Sequence, residues 1–233
     1  MDPVIYYTAN SGIYIWNGSH GLMIDYLFDG GDGWSSMLPA CLDRMRGRQG
    51  EYEKPHTLLF THRHSDHFSE ELLLEHSRLY TSDAYCLVDL PECGCITGCP
   101  GYDICYIRGK HQGSGLLGKT PAAVVAVRTK NSWIVHLSDV MLTEELIVKL
   151  GQTGIRAVDG LFINLYHLTE RSELLHKLDP GSIFCIHRPL PEDDIYGFDR
   201  QVRKTLERLD PWFGRRVMLP EAGSRIFLRQ AGL

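Results

Sequence analysis

The stretch THRHSDHF, Thr61 to Phe68, places three histidines and one aspartate within six consecutive positions. It follows HTLLF, a continuously apolar segment that predicts a short strand buried on both faces. Side chains alternate along an extended segment, so His62 and His64 are expected to point the same way, and Asp66 and His67 can turn toward a second point nearby. Imidazole nitrogens and carboxylate oxygens are ligands that Zn²⁺, Fe²⁺ and Mn²⁺ accept. The motif therefore predicts a metal site at the end of a buried strand.

The composition is that of an ordinary globular protein. The chain has 233 residues, of which 43% are hydrophobic, and suits a single domain over residues 1–233. The net charge of -5 and the lack of a basic run argue against nucleic acid as a partner. The sequence has no signal-peptide pattern and no apolar run long enough to cross a bilayer. Its number of cysteines is odd, which does not favour a framework of disulfides. We therefore expect a cytoplasmic protein with a small-molecule substrate and no membrane partner, which could form a homo-oligomer.

The order of predicted elements indicates an α/β fold. Apolar and β-branched segments predict the strands VIYYT, IYIW, GLMID, HTLLF, AAVVAVRT, WIVHL, GLFINLY and SIFCI, and a last pair, RVML and RIFL. Helical spacing of apolar residues predicts helices in a stripe from Trp34 to Met45, in a segment capped by Ser69, in MLTEELIVKL, in TERSELLHKL and over residues 198–209. Early hairpins followed by alternating strands and helices predict two sheets with helices on their outer faces.

Three further polar residues follow predicted strands. Asp25 ends GLMID, Asp139 follows WIVHL, and His187 follows SIFCI, and α/β active sites gather their side chains at such strand ends. In this order, and together with the H-x-H-x-D-H motif, these residues resemble the landmarks of the metallo-β-lactamase superfamily over most of the chain. The resemblance implies the four-layer αβ/βα sandwich of that superfamily and a dinuclear metal centre that catalyses hydrolysis.

The resemblance also implies a set of metal ligands. It implies two divalent metal ions per chain, with zinc as the expected metal and manganese or iron as alternatives. Asp25 resembles the early structural aspartate that orients the metal loop. The implied ligands are His62, His64 and His111 for metal one, Asp66, His67 and His187 for metal two, and Asp139 as the bridge between them.

The third histidine of metal one has two candidate positions. His111, in RGKHQGSGLLG, precedes a glycine-rich loop, which is similar to the branch that includes ascorbate-6-phosphate lactonase. The segment GKTPAA instead resembles the GHTPG pattern of other branches, but it has Lys119 at the ligand position. A protonated lysine has no lone pair to give to a metal. We therefore favour His111.

Two departures from the superfamily pattern affect the floor of the expected pocket. Ser138 replaces the usual glycine before the bridging aspartate, and Phe68-Ser69 replace a small or glycine-containing stretch. At position 64, diiron oxidoreductases of the superfamily carry glutamate, so His64 implies hydrolytic rather than redox chemistry.

The implied reaction is attack of an activated water on an ester, lactone, thioester, amide or phosphodiester. Asp66 would be the catalytic residue that hydrogen-bonds the nucleophile and takes its proton. Two alternatives stay open: a non-catalytic member of the fold that binds a metal or ligand, and a nuclease or phosphodiesterase.

Two further groups of residues have weaker signals. Arg188 and Lys119, like Arg108 and Lys110, lie near the candidate ligands in sequence and could bind an anionic part of the substrate, or could be solvated surface charges. The second group is a cysteine cluster, which could hold a structural zinc or an iron–sulfur cluster. Its spacings do not fit the usual C-x₂-C pairs, so free thiols are the simpler interpretation of Cys86, Cys93, Cys95, Cys99 and Cys105.

Overall fold

The computed structural model describes residues 3–31, 33–113, 115 and 117–228. The predicted glycine-rich loops at residues 29–33 and after His111 are therefore described only in part, because residues 32, 114 and 116 lie outside the described residues. The chain divides into two compact units, and the prediction of one domain over residues 1–233 stays a prediction. The first unit comprises Met1–Leu87, His187–Tyr196 and Pro220–Phe227, and the second comprises Val88–Ile186, Gly197–Leu219 and Leu228–Leu233.

The strands are short, and most have four or five residues. In chain order, those of the described residues are β1 (Val4–Tyr7), β2 (Ile13–Trp16), β3 (Gly21–Ile24), β4 (His56–Phe60), β5 (Asp83–Cys86), β6 (Cys93–Ile96), β7 (Asp103–Lys110), β8 (Pro121–Arg128), β9 (Trp133–His136), β10 (Gly160–Ile163), β11 (Ser182–Cys185), β12 (Val217–Met218) and β13 (Arg225–Ile226).

The helices are also short. Short 3₁₀ helices cover Gly50–Glu53, Leu87–Asp89 and Leu117–Lys119. Among the described residues, no helix combines the length and the apolar character that a bilayer-spanning segment requires. The α-helices in the described part of the chain are α1 (Pro39–Arg46), α2 (Glu70–Leu79), α3 (Glu144–Gln152), α4 (Leu165–Glu170), α5 (Ser172–Leu178), α6 (Phe198–Leu206) and α7 (Pro211–Arg216).

The first unit is built on one mixed sheet. Its described strands have the order β13-β1-β2-β3-β4-β5. The pairs from β13 to β3 are antiparallel, whereas β3, β4 and β5 run parallel. β4 lies inside the sheet and all of its residues are buried, which explains its continuously apolar sequence. Met45 of α1 and Leu72 of α2 pack into the same apolar cluster as Leu58 and Phe60 of β4, so both helices cover this sheet.

The second unit contains the other sheet. Its described strands have the order β12-β11-β10-β9-β8-β7-β6. β9 to β12 are parallel, and β6 to β9 are antiparallel. One apolar cluster joins Val124 of β8 and Leu161 of β10 to Leu146 of α3, Leu175 of α5 and Val202 of α6. Burial of these aliphatic side chains stabilises the layer of helices on the sheet.

The prediction of an α/β chain with two sheets flanked by helices is confirmed. The last two predicted strands, RVML and RIFL, are present in shortened form as β12, which pairs with β11, and β13, which pairs with β1 in the other sheet. Both strands have only two residues, and a strand that short carries no alternation from which its partner could be predicted.

The helix boundaries also differ from the predictions. TERSELLHKL was predicted as one helix, but the structure has α4 and α5, which meet at Arg171. α4 begins at Leu165, inside the predicted strand GLFINLY, because Asn164 forms a capping box with His167 and ends β10. The predicted apolar stripe from Trp34 becomes helical only at Pro39, which suits the first turn of α1 since it has no backbone N–H.

Candidate metal centre

The motif loop begins one residue after β4 and presents its histidines on one side. His62 is fully buried and His64 is half-buried, whereas Arg63 and Ser65 are exposed, as the alternation of an extended segment predicts. The Nε2 atom of His62 lies 3.1 Å from Nδ1 of His64. The two imidazoles therefore bring ring nitrogens to one point.

Asp25 holds the base of this loop. Its buried carboxylate accepts hydrogen bonds from the Thr61 backbone N–H at 2.7 Å and from the Thr61 hydroxyl at 2.6 Å. It also lies 2.8 Å from Nδ1 of His67. Because a carboxylate only accepts, Nδ1 of His67 carries a hydrogen, and in the neutral imidazole Nε2 then presents a lone pair. This contact is of the kind that orients a histidine, and the role of Asp25 in orienting the metal loop stays a prediction.

The same chain of contacts orients His62. The Thr61 hydroxyl donates its hydrogen bond to Asp25. The hydroxyl oxygen can therefore accept a hydrogen bond from Nδ1 of His62, which lies 3.1 Å away. Nε2 of His62 is then the nitrogen with the lone pair, and it is the atom that faces His64. One aspartate thus sets the tautomers of two candidate ligands.

Asp66, His67 and His187 come together in the first unit. Nε2 of His187 lies 3.1 Å from Nε2 of His67 and 3.1 Å from Oδ2 of Asp66, and Nε2 of His67 lies 3.4 Å from the same oxygen. All three side chains are buried. Burial alone would raise the pKa of Asp66, but the adjacent His67 and His187 outweigh it and hold the pKa of this carboxyl well below its ordinary value.

His187 is held by its backbone and by an aromatic ring. It has a left-handed backbone with φ of 58°, and its N–H donates to the carbonyl of Asn10. The ring of Trp34 packs edge-on against its imidazole, with centroids 4.2 Å apart. Trp34 had been predicted only as part of a helical stripe, and its role as a neighbour of a candidate ligand was missed.

His111 and Asp139 come together in the second unit. Nδ1 of His111 donates to the carbonyl of Gln112, so Nε2 presents the lone pair, and it lies 3.3 Å from Oδ2 of Asp139. The other carboxylate oxygen of Asp139 accepts hydrogen bonds from the side-chain amides of Gln112 at 3.1 Å and Asn164 at 2.9 Å. Lys119, the competing position, is exposed on a 3₁₀ helix. The structure thus places His111 beside the predicted bridging aspartate.

Sequence reasoning missed the amides that position Asp139. Asn164 directly follows β10, so the strand-end rule applied to Asp25, Asp139 and His187 could have identified it. Nδ1 of the neighbouring His167 accepts from the Asn164 N–H and its Nε2 lies 2.9 Å from the carbonyl of Val140, so both ring nitrogens contact the backbone.

The structure also locates Ser138, the basic residues Arg188 and Lys119, and the cysteine cluster. Ser138 has φ of 50°, a left-handed conformation that glycine adopts more readily than a residue with a Cβ atom. Arg188 is half-buried and donates to the carbonyl of Pro220 at 2.7 Å. Roles of Arg188 and Lys119 in substrate binding stay predictions. Among the described residues, no group of three or more His, Cys, Asp or Glu side chains close enough to hold a metal includes a cysteine.

The donor set of the first unit fits a divalent cation. One atom each of Asp66, His67 and His187 lies within 4.8 Å of the others. In the neutral imidazole, the hydrogen bond to Asp25 leaves Nε2 of His67 without a hydrogen, so its lone pair and a carboxylate oxygen are directed toward the same point. Such groups repel one another unless a cation or a proton lies between them. Nitrogen and oxygen donors of this kind suit zinc, iron or manganese.

No protein-family model matches this chain, and no curated protein sequence matches it. Solved structures do match. A possible metal-dependent hydrolase from Veillonella parvula is 13% identical, with a TM-score of 0.67 over 98% of this chain and 100% of that one. The diiron β-hydroxylase CmlA from Streptomyces venezuelae is 13% identical, with a TM-score of 0.61 over 97% of this chain and 54% of that one.

A metal-dependent hydrolase of the beta-lactamase superfamily is 12% identical, with a TM-score of 0.53 over 97% of this chain and 99% of that one. At these identities the likeness establishes the fold. The fold is thus shared by proteins named as hydrolases and by one named as a hydroxylase, and the chemistry of this chain has to be argued from its own side chains.

Proposed function

We propose that this chain, which has the metallo-β-lactamase fold, is a metal-dependent hydrolase. The observation that carries the proposal is the buried group of Asp66, His67 and His187, whose donor atoms face one another while Asp25 fixes the tautomer of His67. A carboxylate behind a ligating imidazole is the arrangement by which metalloproteins orient their histidine ligands.

We propose two divalent metal ions, with zinc as the expected metal and iron or manganese as alternatives. His62 and His64 would be ligands of the first ion, and Asp66, His67 and His187 would be ligands of the second. The assignment of His111 to the first ion and of Asp139 as the bridge stays a prediction from the resemblance. It is supported by the tautomer of His111, which leaves Nε2 with its lone pair toward Asp139.

The chain's own residues would prepare the reaction. Bound divalent cations supply an acidified water and polarise the oxygen of the substrate that is attacked. Asp66 is ionised at neutral pH because its pKa is held low, so its carboxylate can accept a hydrogen bond from the attacking water. Gln112 and Asn164 both donate to one oxygen of Asp139 and thereby fix the direction of the other.

The substrate is proposed to be a small molecule with an ester, lactone, thioester, amide or phosphodiester bond. An imidazole rather than a carboxylate at position 64 supports hydrolysis over redox chemistry, since the resemblance places glutamate there in the diiron oxidoreductases. The acidic net charge of -5 argues against a nucleic acid substrate.

The test combines metal content with turnover. The purified chain is analysed for zinc, iron and manganese, and is then assayed against lactones, thioesters, esters, amides and phosphodiesters before and after chelation. We expect up to two ions per chain, hydrolysis of one bond class, loss of activity on chelation and its return with metal. His67→Ala should lose one ion and lower turnover by at least about a hundredfold, since it removes a ligand.

His176→Ala is the matched control, because His176 is an exposed histidine of α5 and should keep both metal and activity. A chain that keeps full metal content in the His67→Ala variant would contradict the proposed ligand. A fully metallated chain that hydrolyses none of the bond classes would support the alternative of a non-catalytic binding protein. Cleavage of oligonucleotides that weakens steeply with salt would support the nuclease alternative.

A further inference from the structure

Two cysteines face each other across neighbouring strands of the second sheet. β6 and β7 are antiparallel, and their register places Cys95 directly opposite Cys105. Residues in direct opposition point to the same face of a sheet, with Cβ atoms about 4.5–5.5 Å apart. A disulfide requires Cβ atoms about 3.5–4.5 Å apart, so this register is close to what a cross-strand bond needs.

The side chains bring the two sulfur atoms close together. Sγ of Cys95 lies 3.0 Å from Sγ of Cys105. A disulfide bond is about 2.0 Å long, so a movement of about 1 Å separates the two thiols from bonding distance. Cys95 is exposed and Cys105 is buried, so a dissolved oxidant has better access to Cys95 than to Cys105.

The surroundings exclude a metal role for this pair. In the part of the chain that the structure describes, which includes every cysteine, no metal-sized group of His, Cys, Asp and Glu contains a thiol. The nearby Cys93 is exposed but faces Ile107, so it has no thiol opposite it. The pair at 95 and 105 is therefore distinguished from the rest of the predicted cysteine cluster by its register.

We propose that Cys95 and Cys105 are a redox modification site, which a peroxide converts reversibly into a cross-strand disulfide. This inference is independent of the proposed hydrolase. It concerns an edge of the second sheet, since β6 is the outermost described strand there.

The chemistry balances in two steps. The thiolate of Cys95 attacks one oxygen of hydrogen peroxide, the O–O bond breaks, and Cys95 becomes a sulfenic acid, while the departing hydroxide takes up the proton that the thiol had released and leaves as water. The sulfur of Cys105 then attacks the Cys95 sulfur, the S–O bond breaks, and the departing hydroxide takes the proton of Cys105 and leaves as a second water. The two thiols lose two electrons and the peroxide gains them. Burial raises the pKa of the Cys105 thiol, which disfavours Cys105 as the thiol that reacts with the peroxide first.

The bond would fix the edge of the sheet. It would close the loop of residues 96–104, which contains Gly98 and Gly101, both with positive φ. Cross-linking removes conformational freedom from the unfolded chain, so the oxidised protein should unfold at a higher temperature than the reduced protein. β7 ends at Lys110, directly before His111, so the disulfide would also fix the strand that precedes this candidate ligand.

The test uses the full chain, first reduced and freed of reductant, and then treated with hydrogen peroxide at a small molar excess. Free thiols should fall from seven by two. The remaining thiols are alkylated, and the chain is cleaved beside Asp103, which lies between Cys99 and Cys105. Mass spectrometry should then find the peptide with Cys95 joined to the peptide with Cys105, and a thiol reductant should separate them.

Three variants decide the assignment. Cys95→Ser and Cys105→Ser should each abolish the cross-link, while Cys93→Ser, the matched exposed control, should keep it. Because Cys105 is buried, its variant could fold poorly, and the exposed Cys95→Ser variant then decides alone. Absence of a cross-link in the wild type, or its persistence in Cys95→Ser, would overturn the proposal.

Discussion

Asp25 is the residue on which the geometry of the metal loop depends most directly. Its carboxylate contacts the backbone and hydroxyl of Thr61 and Nδ1 of His67, and all of these atoms are buried. Asp25→Asn would place an amide N–H against a donor at one of these contacts, which disturbs the orientation of His67. We expect a loss of about 10–100-fold in metal affinity, measured by competition with a chromophoric chelator.

The control for this variant is Asp83→Asn, an exposed carboxylate on β5 of the same sheet. It should leave the metal affinity unchanged. Equal affinities for Asp25→Asn and wild type would show that the loop is held without this carboxylate.

Single residues also mark the limit of sequence reasoning. The spacing of histidines and aspartates located the polar residues at strand ends, because ligand chemistry restricts which residue types serve. Their backbone conformations were not predictable. Asp25, Ser138 and His187 have φ of 47°, 50° and 58°, a region that costs a residue with a Cβ about 1–2 kcal/mol. Tertiary contacts hold these residues in the left-handed conformation, and the local sequence does not indicate that they adopt it.

Among the elements, α2 is the one joined most closely to the motif. Ser69, two residues after His67, accepts a hydrogen bond from the Leu72 N–H at 3.1 Å and caps this helix. Its own N–H donates to the carbonyl of Leu27 at 2.8 Å. Ser69→Ala removes the cap and should lower the free energy of unfolding by about 1 kcal/mol, measured by denaturant titration.

Ser77→Ala provides the comparison, because Ser77 lies on the same helix and its hydroxyl bonds only within it, to the carbonyl of Leu74. Its effect should be within about 0.5 kcal/mol, as for most surface substitutions. If Ser69→Ala and Ser77→Ala lower the free energy of unfolding by the same amount, the cap at Ser69 does not stabilise the start of α2.

At the scale of the elements, the sequence predicted those with a strong pattern and missed three strands that lack one, β5, β6 and β7. HTLLF and WIVHL were recognised because their apolar runs are continuous. β7, with eight residues, was not recognised because it lies in a stretch rich in cysteine and glycine, where no alternation is visible. Its partners β6 and β8 hold it in place, and such partners are not visible from local sequence.

For the molecule as a whole, two buried histidines connect stability to pH. Burial lowers the pKa of His56 to about 3 and that of His76 to about 4, and a charge on His76 would lower the pKa of His56 further. Their rings lie 5.6 Å apart. Below about pH 6.5 the unfolded chain binds protons at these residues that the folded chain does not, so the folded state loses stability as the pH falls. We expect up to about 1.4 kcal/mol per pH unit for each histidine, between about pH 6 and pH 4.

His76→Phe tests this expectation, because a phenyl ring can keep the stacking on Tyr80, whose centroid lies 4.5 Å away. The slope of the unfolding free energy against pH is proportional to the number of protons taken up on unfolding, and this number should decrease by about one in that range. His176→Phe, at an exposed position, should keep the wild-type slope. Both variants and the wild type are compared at the same metal content, so that loss of metal in acid affects all three alike.

The order of strands in each sheet was beyond sequence reasoning. Two sheets with helices could be predicted from the alternation of elements, because the apolar face of a sheet has to be buried against another layer. The pairing of β1 with β13 could not, because its partners are more than two hundred residues apart along the chain. Only tertiary packing selects a partner at that separation.

This pairing has a consequence for synthesis on the ribosome. β1 is translated more than two hundred residues before its outer neighbour β13, which does not exist until Arg225 and Ile226 have been translated. During that interval the nascent chain exposes the edge of β1 to other strands, and such an edge invites wrong pairing. Chaperone protection of the hairpin of β1 and β2 would therefore matter most before Arg225 and Ile226 have been translated.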